Sequence, residues 1–201
     1  MKHIFKQGKK DLPVLLLLHG TGGTEEDLVP LAELIAPAYS ILSVRGNVSE
    51  NGMPRFFKRL AEGVFDEADL IERTHELNAF IDESAKNYNF DRNHVIAIGY
   101  SNGANIAGSL LFHDANALRG AILHHPMVPL RNLKLPNLSG KPIFIGAGEN
   151  DPICSPEETK ELYEMLSHAG ADVSVHWESA GHQLTRSEAE TAADWFHKHI
   201  K

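Results

Sequence analysis

Gly99-Tyr100-Ser101-Asn102-Gly103 stands between an apolar run with strand character, Val95-Ile96-Ala97-Ile98, and a small-residue stretch with helix character. A chain passes from strand to helix this abruptly only on a strained corner, and only glycine-sized neighbours let the two elements approach closely enough to make it. Such a corner lifts its serine above the edge of a sheet, where the hydroxyl is open to an incoming group. The segment therefore demands a strand that feeds straight into a helix packed against the same sheet.

The rest of the chain repeats that order. Strand-like runs occur at residues 14–18, 41–44, 95–98, 120–123, 143–145 and 173–177, and most gaps hold helical stretches, at 25–35, Glu67–Tyr88, 102–112, 156–169 and 187–199. The runs are short and continuously apolar, as strands covered on both faces are, so the pattern predicts an α/β fold: a doubly wound, mostly parallel sheet with helices on both faces. Leu70, Leu77, Phe80, Ile81 and Tyr88 form the apolar stripe of the second helix, and Ser187 with Glu190 predicts a capping box on the last. With 201 residues, no internal repeat and no low-complexity tract, the chain reads as a single domain over 1–201. The Pro-rich connection at 126–142 reads as a rim of the site rather than a linker.

A formal charge of −8 argues against nucleic acid and anionic membrane surfaces as partners, because both repel an acidic protein. One cysteine, Cys154, excludes an internal disulfide and suits a reducing compartment. The N-terminal residues carry no apolar segment long enough for export, and the longest apolar run, 12–18, has the length of a strand. These features predict a cytoplasmic protein that takes a small-molecule substrate. They do not decide the oligomeric state, and a homodimer is compatible with them.

Ser101 is the candidate nucleophile. Its base is His182, because Ala180-Gly181-His182-Gln183-Leu184 follows the last strand and precedes the last helix, on a loop at the strand C-terminal edge. The chain has twelve histidines; His197 and His199 suit a helix C-terminus and His176 falls inside a strand. His124-His125 ends a strand near the same edge, with pocket lining and ordinary packing equally open. The acid that orients the base comes from Gly148-Glu149-Asn150-Asp151-Pro152: Asp151 is preferred, with Glu149 the alternative that spacing leaves open. An oxyanion needs two preorganised N–H donors, and Asn102, after the nucleophile, supplies one while Thr21, in His19-Gly20-Thr21-Gly22-Gly23, is the candidate for the other. No Gly-Lys-Ser/Thr follows those glycines, so a phosphate loop is disfavoured. Cys154 reads as a small packing residue.

Over essentially its whole length the chain resembles the bacterial phospholipase/carboxylesterase family of small α/β-hydrolases, which also contains acyl-protein thioesterases. The resemblance rests on Leu18-His19-Gly20-Thr21-Gly22-Gly23, Ser43-Val44-Arg45-Gly46-Asn47, Ile98-Gly99-Tyr100-Ser101-Asn102-Gly103-Ala104-Asn105, His124-His125-Pro126-Met127 and Gly181-His182-Gln183-Leu184. These segments look most like a bacillar branch associated with hydroquinone stress. The resemblance implies an α/β-hydrolase fold with a minimal lid and a cytoplasmic serine esterase with no cofactor and no metal. Its triad would be Ser101, Asp151 and His182, and its oxyanion donors Thr21 and Asn102. Asn102 stands where the thioesterases commonly have Gln, and the insertion at 51–65 is not theirs.

That insertion places Met53, Pro54, Arg55, Phe56 and Phe57 on the presumed site side, either as a cover for an aromatic ester or as a surface loop whose rings fill a satellite core. Substrate-binding candidates are accordingly His19, Arg55, Phe56, Phe57 and Met127, the last as a pocket wall or a gap filler. The leading reading is hydrolysis of carboxylic esters, with thioester or lysophospholipid hydrolysis as the alternative. A metal-dependent ring-cleaving oxygenase would need two histidines and a carboxylate around iron, and no spacing singles such a set out. A non-catalytic binding protein on the same fold is the remaining reading.

Overall fold

The computed structural model describes residues 1–200. Its centre is a seven-stranded sheet of β1 (His3–Lys6), β2 (Val14–Leu18), β3 (Ser40–Val44), β8 (Val95–Tyr100), β9 (Gly120–His124), β10 (Pro142–Gly148) and β11 (Asp172–Glu178). The order across the sheet is β1-β3-β2-β8-β9-β10-β11. Every pairing is parallel except that of β1 with β3. Among the described residues five helices form: α1 (Val29–Ile35), α2 (Glu67–Tyr88), α3 (Asn102–His113), α4 (Pro156–His168) and α5 (Arg186–His199). None of them is long and apolar enough to cross a membrane.

The strand runs are continuously apolar because each side of the sheet has its own core. Along β2, Val14, Leu16 and Leu18 face a cluster with Leu70, Leu77 and Ile81 of α2, Ile106 and Leu110 of α3, and Leu162 and Leu166 of α4. Leu15 and Leu17 face the opposite cluster, with Ile35 of α1 and Trp195 and Phe196 of α5. A period of two thus assigns alternate leucines to different helices, and burial of all five drives the sheet to the middle of the molecule.

Two local expectations are corrected and one strand is added. β1 carries no clear sequence signal, because four residues on a sheet edge carry little periodicity; it is held by Phe5 stacked on Tyr88 at 4.0 Å and by His3 Nε2 bonded to Tyr88 Oη at 2.7 Å. The first helix begins at Val29 and not at 25, since Pro30 fits only a first helical turn, while Glu25 is buried in ion pairs with Lys2 and Arg45. The last helix is capped by Thr185, whose Oγ1 accepts the Glu188 N–H at 3.0 Å, rather than by Ser187 with Glu190.

The insertion folds into two small hairpins, β4 (Val48–Glu50) with β5 (Met53–Arg55) and β6 (Arg59–Ala61) with β7 (Val64–Phe65). At the strand-to-helix corner, a Cβ on Gly103 would lie 1.9 Å from the Leu18 carbonyl oxygen, so α3 reaches the sheet only because that position has no side chain. Gly103→Ala is therefore expected to cost at least about 4 kcal/mol, read as a lowered urea midpoint. An unchanged midpoint would mean that β2 yields freely.

Candidate active site

Ser101 is the N-cap of α3 with φ 51° and ψ −113°, a left-handed backbone that a non-glycine residue adopts only when its surroundings impose it. Its N–H donates to the His124 carbonyl at 2.9 Å and its own carbonyl accepts from Asn105 N–H, also at 2.9 Å. The corner is thereby pinned to β9 on one side and to the first turn of α3 on the other. The loops after β2, β10 and β11 open on the same edge of the sheet, the C-terminal ends of the parallel strands, where α/β folds leave a crevice.

His182 Nε2 lies 2.8 Å from Ser101 Oγ, and His182 Nδ1 lies 2.8 Å from Asp151 Oδ2. Tyr100 donates its hydroxyl to the His182 carbonyl at 2.8 Å, fixing the loop that carries the imidazole. Asp151 Oδ1 accepts the N–H groups of Ile153 and Cys154 at 2.8 and 2.9 Å. Burial alone would raise the Asp151 carboxyl, but those two N–H groups and His182 outweigh it and hold the group below the usual carboxylate range. Glu149 faces solvent and accepts the Ser179 hydroxyl at 2.7 Å, so the acid that meets His182 is Asp151.

A cavity of about 350 Å³ opens over Ser101. Thr21, Asn102, Arg55 and Met127 line it, together with Met53, Arg59, Phe65, Ile153 and Cys154. The Asn102 N–H is in the first turn of α3, where no intrahelical acceptor exists, so it is available to a ligand oxygen. Thr21 is braced from the insertion: Arg55 Nη1 donates to Thr21 Oγ1 at 2.6 Å, and Gly22 N–H donates to the Pro54 carbonyl at 2.9 Å. Arg55 is itself buried and its Nε donates to the Phe57 carbonyl at 3.2 Å, so the guanidinium holds the two loops together while it lines the cavity.

Three substrate-binding candidates lie elsewhere. Phe56 and Phe57 are 1% and 0% exposed and belong to the core beneath the hairpins, because apolar rings gain more there than at a wetted wall. His19 is buried as well; its Nδ1 is 2.6 Å from the Gly20 carbonyl and its Nε2 accepts the Gly46 N–H at 3.0 Å. Burial lowers its pKa, and the neutral ring joins the loop after β2 to the end of β3. Phe56 and Phe57 thus join the main core on one side of the sheet rather than a satellite core or a cover over the substrate, and the hairpins that flank them wall the cavity.

Behind Asp151 lies a cluster with no signal in any single stretch of sequence. His125 Nδ1 is 3.0 Å from Asp151 Oδ2 and its Nε2 is 3.0 Å from Glu188 Oε2, while His124 Nδ1 bonds to Glu188 Oε1. Glu188 is on α5, 63 residues from His125, and its only local signal, an acid in a first helical turn, points to solvent. Burial would raise Glu188, but the bonds from His124 and His125 bring it down to about 2. Its folded value is below its unfolded one, so its stabilisation is complete above about pH 4.5 and is lost as pH falls toward about 2. Urea midpoints should fall between pH 5 and pH 3 in the wild type and less steeply in Glu188→Gln. Parallel curves would show that the carboxylate titrates normally.

His125, Asp151 and His182 also bring ligand-type atoms within 4.8 Å of one another, the two-histidine, one-acid set that an iron site needs. Both Nδ1 atoms, however, face the same carboxylate oxygen at hydrogen-bond distance, as protonated nitrogens do, and both Nε2 atoms have partners in Ser101 and Glu188. The arrangement is that of a continuous hydrogen-bonded chain from Ser101 through His182, Asp151 and His125 to Glu188.

Comparison with known proteins places the chain among hydrolases. The model of the dienelactone hydrolase family matches residues 49–198. Over 200 residues, spanning 100% of both chains, the sequence is 60% identical to a Bacillus subtilis (strain 168) protein provisionally named the hydrolase MhqD. The fold superposes on the crystal structure of the Bacillus cereus carboxylesterase with a TM-score of 0.99 at 64% identity, covering 100% of this chain and 95% of that one. YahD, solved with malic acid, superposes with a TM-score of 0.94 at 36% identity over 98% of each chain. The resemblance to a bacillar hydrolase branch drawn from the motifs is met at full length. The chain belongs to the dienelactone hydrolase family and is an esterase-type hydrolase on the α/β-hydrolase fold.

Proposed function

We propose that this hydrolase cleaves small carboxylic esters through an acyl-enzyme formed on Ser101. The observation that carries the reading is the alignment of Ser101 Oγ, His182 and Asp151 through two contacts of 2.8 Å on a strained corner. His182 Nε2 takes the hydroxyl proton as Ser101 Oγ attacks the ester carbonyl, and Asp151 holds the ring in the tautomer that presents that nitrogen. The N–H groups of Thr21 and Asn102 receive the developing oxyanion. His182 then returns the proton to the departing alcohol, and water enters by the same route to release the acid and regenerate Ser101.

Cavity size and lining argue for a short acyl or compact aromatic group. At about 350 Å³ it is near the lower end of ligand pockets, roughly 300–1,000 Å³, and Met53, Phe65, Met127 and Ile153 give it apolar walls. Hydrolysis of p-nitrophenyl esters from acetate to decanoate, with one acyl thioester beside them, tests the reading. The expected result is kcat/KM highest for short acyl chains, with a quenched sample carrying one acyl group on Ser101. Turnover confined to the thioester would replace the oxygen-ester reading, and folded protein inert to every substrate and to a fluorophosphonate would leave a binding protein.

A further inference from the structure

We propose that His125, clamped as an imidazolium between Asp151 and Glu188, is a positioning residue that keeps His182 a free base at lower pH than the two buried carboxylates alone would allow. The inference rests on the Ser101–His182–Asp151 reading above. Both ring nitrogens of His125 point at carboxylate oxygens, each at 3.0 Å, and all three side chains are fully buried. A neutral imidazole has one N–H and one lone pair, and the lone pair would then face a carboxylate oxygen with no water to intervene. With Asp151 and Glu188 both held ionised, only the doubly protonated ring satisfies both contacts.

The backbone is built around this placement. His125 has φ 52°, a left-handed value that costs a non-glycine residue free energy, and its N–H is tied to the Gly146 carbonyl at 2.8 Å. A Cβ on Gly146 would lie 1.9 Å from Glu188 Oε1, so the carboxylate occupies the space that a side chain there would fill. The Cys154 thiol donates to the His125 carbonyl at 3.2 Å, closing the same loop. Burial would lower the His125 pKa, but the bonds to Glu188 and Asp151 outweigh it and raise it.

The titratable groups facing the cluster are His124 on β9, Glu188 on α5, Asp151 and Cys154 on the loop after β10, Tyr100 on β8 and His182 on the loop after β11. With Asp151 and Glu188 ionised and His125 protonated, the core of this cluster carries one net negative charge. That charge stabilises the His182 imidazolium as Ser101 attacks. Without the His125 charge the net would be two negatives, which would favour proton uptake by His182 in the resting enzyme and idle it as a base. The ring centroids of His125 and His182 are 5.3 Å apart, close enough for that cation to be felt directly. His125 also fills the second lobe of Asp151 Oδ2, so the carboxylate cannot rotate away from His182.

Two measurements test this. His125→Asn removes the charge with a side chain that tolerates positive φ. It is expected to move the acidic limb of kcat/KM to higher pH by about one unit and to lower plateau kcat roughly tenfold with KM little changed. A limb superimposed on the wild type, or displaced to lower pH, overturns the proposal. Independently of turnover, ring-nitrogen NMR of histidine-labelled enzyme, assigned by the signal lost in His125→Asn, should show both His125 nitrogens protonated up to pH 8. In Glu188→Gln, which keeps the shape of the site, one of them should lose its proton below that pH. If His125→Asn does not fold, the wild-type spectrum decides, because a neutral His125 at pH 7 excludes the clamp. A fully active Ser101→Ala enzyme would instead refute the ester mechanism and leave the protonation of His125 to stand or fall by its spectrum.

Discussion

Ser101→Ala is expected to lower kcat/KM for a short p-nitrophenyl ester by about four to six orders of magnitude while thermal unfolding stays near the wild-type value. The chemistry loses its nucleophile, and no other hydroxyl or thiol in the cavity is aligned with His182. Cys154 is near in space, but burial and the charges of Asp151 and Glu158 push its thiol far up, so it is no substitute. The fold loses little, since Ser101 Oγ makes one bond, to His182, while the corner is held by backbone bonds to His124 and Asn105 that alanine retains. Residual activity within tenfold of wild type would refute the acyl-enzyme mechanism.

Asp151→Asn should cost about 10⁴-fold in kcat with KM largely preserved. Asparagine keeps an oxygen for the N–H groups of Ile153 and Cys154, which places its NH₂ where Oδ2 stood, opposite Nδ1 of both His182 and His125. Donor would meet donor on two sides. His182 relieves the clash by carrying its proton on Nε2, which leaves no lone pair to accept the Ser101 proton. A loss below about tenfold would show that the Tyr100 bond to the His182 carbonyl orients the ring unaided.

Much of the site was legible because each of its parts is anchored to a strand end. Ser101 announces itself by flanking glycines, and His182 by a loop between the last strand and the last helix. The acid was legible only to within a turn: Glu149 and Asp151 differ by two positions, and the turn of the chain after β10 points one to solvent and the other inward. Arg55-Phe56-Phe57 was legible as a group near the site but not residue by residue. Arg55 reaches Thr21 along the cavity wall while the two rings turn into the core, a division of labour that depends on how the hairpin sits on the sheet.

The sequence by itself determined the layered architecture, the mostly parallel run of its strands and the candidates for nucleophile and base, because these follow from hydrophobic period, chain order and glycine at one corner. Tertiary structure alone decided the cluster behind Asp151. His125 and Glu188 meet across a sequence separation of 63 because β9 and α5 converge on Gly146, and no local property of either segment encodes that meeting. Local sequence specifies backbone preference and burial; which charges share a dry space is settled only when distant elements pack, and there the electrostatics of the base is decided.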